Sequence, residues 1–192
     1  MKWFHNLKIS AKLITGFLIV ALIAGVVGGI GIINMRNMDK LSTEMYERHT
    51  ATLPALGTIA ETYQRERVNL RDLYLKDGEF ERQEIIKKIS ELRTEIYDNM
   101  EIFDAGIINP DVRALFDKFA NEIEDYGKLR EDIINAAQAD DMDEVFYLLT
   151  SDYAQQLTDN IRETIDELTN LKTNLARQNA EATDRATKSA II

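Results

Sequence analysis

The densest run of chemically capable side chains is Tyr63-Gln64-Arg65-Glu66-Arg67-Val68-Asn69-Leu70-Arg71. Arg65 has Glu61 one turn before it, the spacing of an ordinary helical ion pair. Arg67 and Arg71 differ. No acid stands three or four residues from either of them, and they face each other at i, i+4, a mildly repulsive like-charge arrangement. Arg67 also falls on the apolar stripe of its helix, where an unpaired charge is costly. Counter-charge could come from an acid on another helix, such as Asp159 or Glu163, from an acid of a second subunit, or from a ligand carboxylate, which the guanidinium fork fits well. Pairing within the protein is the plainer of these readings.

Other chemistry is thinly supplied. The 192 residues include no cysteine and only His5 and His49, so thiolate zinc sites, disulfides and cysteine nucleophiles are excluded. A di-iron bundle needs Glu-x-x-His pairs on facing helices, and neither histidine follows a Glu by three residues. Carboxylates such as Glu91 and Glu95 recur at i, i+4 opposite the apolar stripe and read as a solvated face. No nucleophile, base and oxyanion site occur together, so neither an enzyme nor a cofactor is expected. The formal net charge of −10 rules against a nucleic-acid partner, which would need a basic surface to displace counterions.

Charge is unevenly placed. Residues 1 to 33 hold Lys2, Lys8 and Lys12 and no acid, leaving 20 basic and 33 acidic residues from Asn34 onward. Within that first stretch Leu13 to Ile33 runs 21 residues without a charge, about the ~20 that a helix needs to cross a bilayer core. A cleaved signal peptide has a shorter apolar region, ~7–15 residues, ending in a small-x-small site; the nearest such match is Gly29-Ile30-Gly31 at the far end. The segment therefore reads as an uncleaved anchor. The lysine flank places residues 1–12 in the cytoplasm and the part from Asn34 outside the cell membrane, with Trp3 and Phe4 as interfacial anchors. Gly25 and Gly29, with Ala21 one turn earlier, form a small-residue stripe of the kind that lets membrane helices approach.

Beyond Asn34 apolar residues recur at spacings of three and four, the helical signature. One stripe carries Leu56, Ala60, Tyr63, Leu70 and Tyr74, and a second Ile85, Ile89, Leu92, Ile96 and Met100. A third carries Val112, Phe116, Phe119, Ile123 and Tyr126. The fourth runs through Leu149, Tyr153, Leu157, Ile161, Leu168, Leu171 and Leu175. Gly78, as a left-handed C′ residue, closes the first helix. Ala105-Gly106 closes the second, Asn109-Pro110 opens the third, and Asp140 or Asp141 caps the fourth, with Glu144 completing a capping-box pattern. Short loops make neighbours antiparallel, so the fold class is an all-α, up-down-up-down four-helix bundle over residues 34–192, anchored by residues 13–33.

Lengths add to this. Read as continuous, the first helix spans Asn34 to Tyr74 and the last begins at Met142 and runs up to 51 residues, against roughly 25 to 30 for the middle pair. At ~1.5 Å per residue the middle helices stop roughly 20 Å short of the membrane. The remaining two helices cannot bury much there, and a second copy, a homodimer, is expected. Pro54 predicts a kink or short break where stalk meets bundle. Counting equal numbers of residues up from Asn34 and back from Ser189 sets Arg67 level with Gln156. Tyr153, Gln156 and Asn160 thus supply neutral hydrogen-bonding groups near the arginine layer, with Arg65 at its edge. That set suits a small carboxylate or similar anion.

The leader Asn6-Leu7-Lys8-Ile9, a single span, an acidic bundle with Leu53-Pro54 near the base of its first helix and arginines higher up, and a long returning last helix together resemble the N-terminal part of a bacterial methyl-accepting chemotaxis receptor of the four-helix-bundle type. The resemblance implies a homodimer that binds small molecules across the interface of two bundles and passes a piston-like shift of the last helix inward. It also implies arginines on the first outer helix that grip a ligand carboxylate. Arg67 and Arg71 match two of these, the third is missing near Thr62, and Arg65 is an approximate substitute. A full receptor continues through a second span, a HAMP linker and a cytoplasmic coiled-coil signalling domain; Ala190-Ile191-Ile192 reads as the start of that second span and the chain as a fragment. Cytoplasmic partners then act only through the missing part. Sensor histidine kinases and diguanylate cyclases carry similar outer modules, and an anchored structural or adhesion bundle is the non-sensory alternative.

Overall fold

The computed structural model describes residues 8–45, 52–76 and 78–190, and every regular element among them is an α-helix. In chain order these are α1 (Ile9–Met45), α2 (Leu53–Leu75), α3 (Glu79–Ala105), α4 (Pro110–Gln138), α5 (Met142–Thr150) and α6 (Asp152–Ala190). The chain divides into two units, Met1–Thr43 with Glu181–Ile192, and Glu44–Ala180.

In the first unit the stretch Ile9–Asp39, 31 residues, is long and apolar enough to cross a membrane. Its apolar side chains point outward all round, from Leu13 to Ile33. A helix apolar on every face is suited to lipid rather than water.

The second unit is a four-helix bundle of α2, α3, α4 and the first part of α6, with α5 as a short extra helix. Its core is drawn from one stripe of each long helix. Leu56, Ile59, Tyr63, Leu70 and Leu73 come from α2, and Ile89, Ile96, Met100 and Phe103 from α3. Val112, Phe116, Phe119, Ile123 and Tyr126 of α4 join Leu157, Ile161, Ile165 and Leu168 of α6 in the same core. The middle helices have 27 and 29 residues, as their periodicity predicts. Asn109 caps α4 as expected, its side chain accepting from the amides of Asp111 and Val112 at 2.8 and 3.1 Å, with Pro110 in the first turn, where no amide is missed.

Several expectations are corrected. The expected continuity of the first outer helix from Asn34 to Tyr74 falls on 46–51, outside the described residues; α1 is described to Met45 and α2 from Leu53. Pro54 sits in the first turn of α2, where its lack of an amide is harmless; whether it marks the expected kink or short break falls on 46–51, outside the described residues. Gly78 is not a left-handed C′ residue. Its φ of −91° and ψ of 129° are extended, and it serves as the N-cap of α3. Of the two expected caps Asp141 is the one used, accepting from the Glu144 amide at 3.1 Å. Asp140 instead takes the left-handed conformation, φ 59°, which its short polar side chain tolerates.

The last helix is broken. At Ser151 the backbone turns extended, φ −60° and ψ 149°, and the Ser151 hydroxyl accepts from the Ala154 amide at 3.2 Å, starting α6 afresh. The break resets the helical phase. Ala154 is buried and Tyr153 is 56% exposed, so the stripe through Tyr153 is replaced by one through Ala154, Leu157, Ile161 and Leu168. A similar correction applies to α2, where Leu73 is fully buried and Tyr74 lies outside, its ring 5.4 Å from that of Phe146.

Candidate functional site

Two charged groups lie deep in the bundle. Glu66 of α2 and Arg130 of α4 are fully and almost fully buried, and Arg130 Nη1 donates to Glu66 Oε1 at 2.8 Å. They got there by position. Glu66 follows Tyr63 by three residues and precedes Leu70 by four, while Arg130 follows Tyr126 by four and precedes Ile133 by three. Both therefore share the apolar stripe of their helix. Burial raises the Glu66 pKa above the usual carboxylate range, and the Arg130 cation beside it, with Arg93 further away, pulls it back. The second oxygen, Oε2, has no hydrogen-bond partner among the described residues.

Two phenols stack beside this pair. Tyr63 and Tyr126 meet edge to face with centroids 4.9 Å apart, a geometry that aligns ring edge and ring face favourably. Burial pushes the Tyr63 phenol up to about 12, against the pull of Thr158 and Arg67. Tyr126 is raised well above its ordinary value, again by burial, with the nearby Glu66 carboxylate adding to it. Both rings are neutral at ordinary pH. The Tyr126 hydroxyl is buried and has no hydrogen-bond partner among the described residues.

Next to these rings is a cavity of about 70 Å³ between α2, α4, α5 and α6. Arg67 and Arg71 line it from α2, Tyr126 from α4 and Thr158 from α6. The rest of its wall is hydrocarbon, from Leu70, Leu129, Ile133, Leu149 and Ala154. Arg67 is half-buried and Arg71 exposed, so the cationic groups stand toward solvent. Arg67 Nη1 donates to Gln64 Oε1 at 2.9 Å, and its guanidinium lies 5.8 Å from the centre of the Tyr63 ring, close enough for a cation–π contact. Among the described residues no carboxylate of the same chain forms an ion pair with Arg67 or Arg71. The acid expected on another helix is therefore not the partner: Asp159 pairs instead with Arg162 at 3.3 Å.

The other expected site residues are placed elsewhere. Arg65 lies on a different face of α2, 3.9 Å from Glu95 of α3, and its expected pairing with Glu61 is not the one formed. It lines a separate shallow depression with Gln64, Asn69 and Lys88. Tyr153, Gln156 and Asn160 are at the height of the arginines, since Ala154 and Thr158 beside them line the cavity, but all three are exposed. Within one chain the structure thus joins Arg67 and Arg71 to Tyr126 and Thr158. The sequence did carry a signal for Tyr126 and Arg130: extending the α4 stripe by one turn past Tyr126 lands on Arg130.

With the fold and cavity in view, comparison with known proteins decides the family. The model of the four-helix-bundle sensory module for signal transduction matches residues 6–187. The chain belongs to this family of sensory modules. A relative in Bacillus subtilis (strain 168), named "Putative sensory transducer protein YvaQ", is 21% identical over 166 residues. Those residues are 86% of this chain but 29% of the relative, so the sensory module spans less than a third of that protein's length. The match takes in both the apolar helix α1 and the bundle.

Proposed function

We propose that this sensory module is the outer part of a transmembrane chemoreceptor, and that it binds a small extracellular anion at Arg67 and Arg71. One observation carries the reading. Two guanidinium groups one turn apart line the same cavity, and no carboxylate among the described residues neutralises either of them. Such a like-charge pair is mildly destabilising on its own and gains from a ligand that brings two oxygen acceptors. Family membership favours this over an adhesion bundle, because the family's role is signalling. In this reading α1 crosses the inner membrane with its lysine-bearing end in the cytoplasm, the bundle lies outside, and two copies pair. The output is chemotaxis, through parts beyond this chain; a histidine kinase or cyclase output rests on the same module.

Binding to the folded bundle and not to the unfolded chain stabilises it by mass action. A thermal-shift screen of small organic acids on the full chain in detergent, with Arg71→Ala beside it, is the test. At least one acid should raise the transition of the wild type and leave that of the variant unmoved. If no acid acts, or if an active one acts equally on both, the arginines are structural and the reading fails.

A further inference from the structure

The end of the bundle where α2 stops and α3 starts is built unlike the rest of its surface. Arg82 of α3 donates to Asp140 Oδ1 at 2.7 Å and to Met142 Sδ at 3.7 Å, so the turn into α3 lies beside the turn into α5. One helical turn along α5 from Met142, the Phe146 ring meets that of Tyr74 at 5.4 Å. These contacts gather the last turn of α2, the first turn of α3 and the exposed side of α5. Of the ten large apolar side chains exposed among the described residues of the bundle, five stand here: Tyr74, Leu75, Phe80, Phe146 and Tyr147. Scattered singly, such residues are ordinary. Phe80, Tyr147 and Phe146 are 78%, 63% and 50% exposed. At ~200 Å² for a whole aromatic side chain, these three alone leave about 400 Å² open to water.

The same end is acidic. Glu79, Glu81, Asp140, Asp141, Asp143 and Glu144 are exposed there, against an exposed Lys76 and a half-buried Arg82 whose charge Asp140 already meets. Helix dipoles account for four of these acids, since Glu79 and Glu81 stand in the first turn of α3 and Asp143 and Glu144 in that of α5. They give no reason to set exposed rings among them. The acids also decide what can cover the rings. A second copy docking by the same face would set acid against acid, and an anionic lipid surface would be repelled as well. A surface with lysine or arginine around apolar groups complements both features.

We propose that this end of the bundle is a docking face for another protein, one whose contact surface carries apolar anchors ringed by lysine or arginine. Anion binding at Arg67 and Arg71 is not required for it. The open ring area is about half of the ~800 Å² that each partner gives to a standard interface. The contact is therefore a transient one, with rings at its centre and charge at its rim.

A fluorescently labelled peptide alternating lysine and tryptophan serves as the probe, titrated by anisotropy against the full chain in phosphatidylcholine nanodiscs, with empty discs as the blank. An all-lysine peptide and one alternating glutamate and tryptophan, of equal length, stand beside it. The lysine–tryptophan peptide should bind about tenfold or more tightly than either, and should weaken severalfold between about 50 and 500 mM salt as exposed charges are screened. Phe80→Ser combined with Tyr147→Ser should weaken it about tenfold or more. Both side chains are mostly exposed, so the helical melting curve should not move. Ile102→Ser combined with Ile108→Ser, also exposed but at the other end of α3, should leave binding unchanged. Glu79→Lys combined with Asp143→Lys should shift the preference to the glutamate–tryptophan peptide.

Three results would overturn the proposal. One is failure of the lysine–tryptophan peptide to bind. Another is an all-lysine peptide that binds as tightly, or equal losses from the two serine pairs, since the probe would then be held by charge or by any exposed apolar group. The third is loss, in the Phe80→Ser, Tyr147→Ser chain, of a self-association that cross-linking detects in the wild type, which would make this face a contact between copies of the chain.

Discussion

Removing one partner of the Glu66–Arg130 pair should cost far more than removing both. The side chains are 0% and 4% exposed and joined at 2.8 Å. Breaking such a buried pair from one side leaves an uncompensated charge and costs about 3–5 kcal/mol, whereas replacing both by apolar groups of similar volume is often neutral or stabilising. Glu66→Met and Arg130→Met should each lower the stability of the bundle by that amount, and the double variant should lie within about 1 kcal/mol of wild type or above it. The two single variants differ in their response to pH. Arginine does not lose its proton in a protein, so Glu66→Met has no titrating group left in the pair, and its deficit against the wild type shrinks as the pH rises through the raised folded pKa of Glu66. Glu66 can neutralise. Its folded pKa is raised by burial, opposed by Arg130 and Arg93, with the Tyr63 and Tyr126 phenols also close by. Loss of Arg130 raises it further. Between the unfolded value, about 4.3, and this raised value the folded chain holds more protons than the unfolded one, so stability falls as pH rises through that window. The Arg130→Met deficit should be smallest below about pH 4 and complete once the pH exceeds the folded pKa. Urea denaturation of the full chain, followed by helical circular dichroism from pH 4 to 8, measures all of this. Single variants that cost under about 1 kcal/mol, or a double variant equal to their sum, would refute this account of the pair.

Leu73→Ala, at a fully buried position, should cost about 2–5 kcal/mol, whereas Tyr74→Ala, which loses mainly an exposed ring contact, should cost about 1 kcal/mol or less; equal losses in the same urea assay would undo the corrected α2 stripe. Asn109→Ala removes the cap of α4 and should lower stability by about 1 kcal/mol, with glycine there costing only a few tenths. An enzymatic reporter fused after Gly78 should behave as exported, and cytoplasmic activity would reverse the proposed topology. Cysteine at Met38 should cross-link between two copies of the membrane-embedded chain, and failure at that position and at Leu41 would count against pairing through this segment.

Periodicity reads the bundle well where a helix runs uninterrupted. The α4 stripe from Val112 to Tyr126 and the α3 stripe from Ile89 to Met100 are buried as spacing alone requires. It fails where the phase changes without a glycine or proline to mark it. Ser151 breaks the last helix through a hydroxyl bond to its own chain, and serine is common enough within helices to give no warning. The departure in α2 has another source. Tyr74 reads as core because tyrosine is large and apolar over most of its surface, but Leu73, about 100° away around the helix, is the residue that faces the interior. Within the arginine cluster, local spacing identifies which members lack a nearby acid. It cannot identify Tyr126 or Thr158, because contacts between helices depend on rotation about each axis, and that rotation is set by packing across the whole core.

The extended residue at Ser151 also sets where the chain can change length. One residue inserted within α6 would turn everything beyond it by about 100°, swinging Leu157, Ile161 and Leu168 out of the interior. The same insertion between Thr150 and Asp152 falls where the helical phase already restarts, and α6 keeps its facing as long as a hydroxyl remains to begin it. This corner is therefore a natural splice point, suited to receiving an epitope or a fluorescent reporter while the bundle beyond it keeps its register.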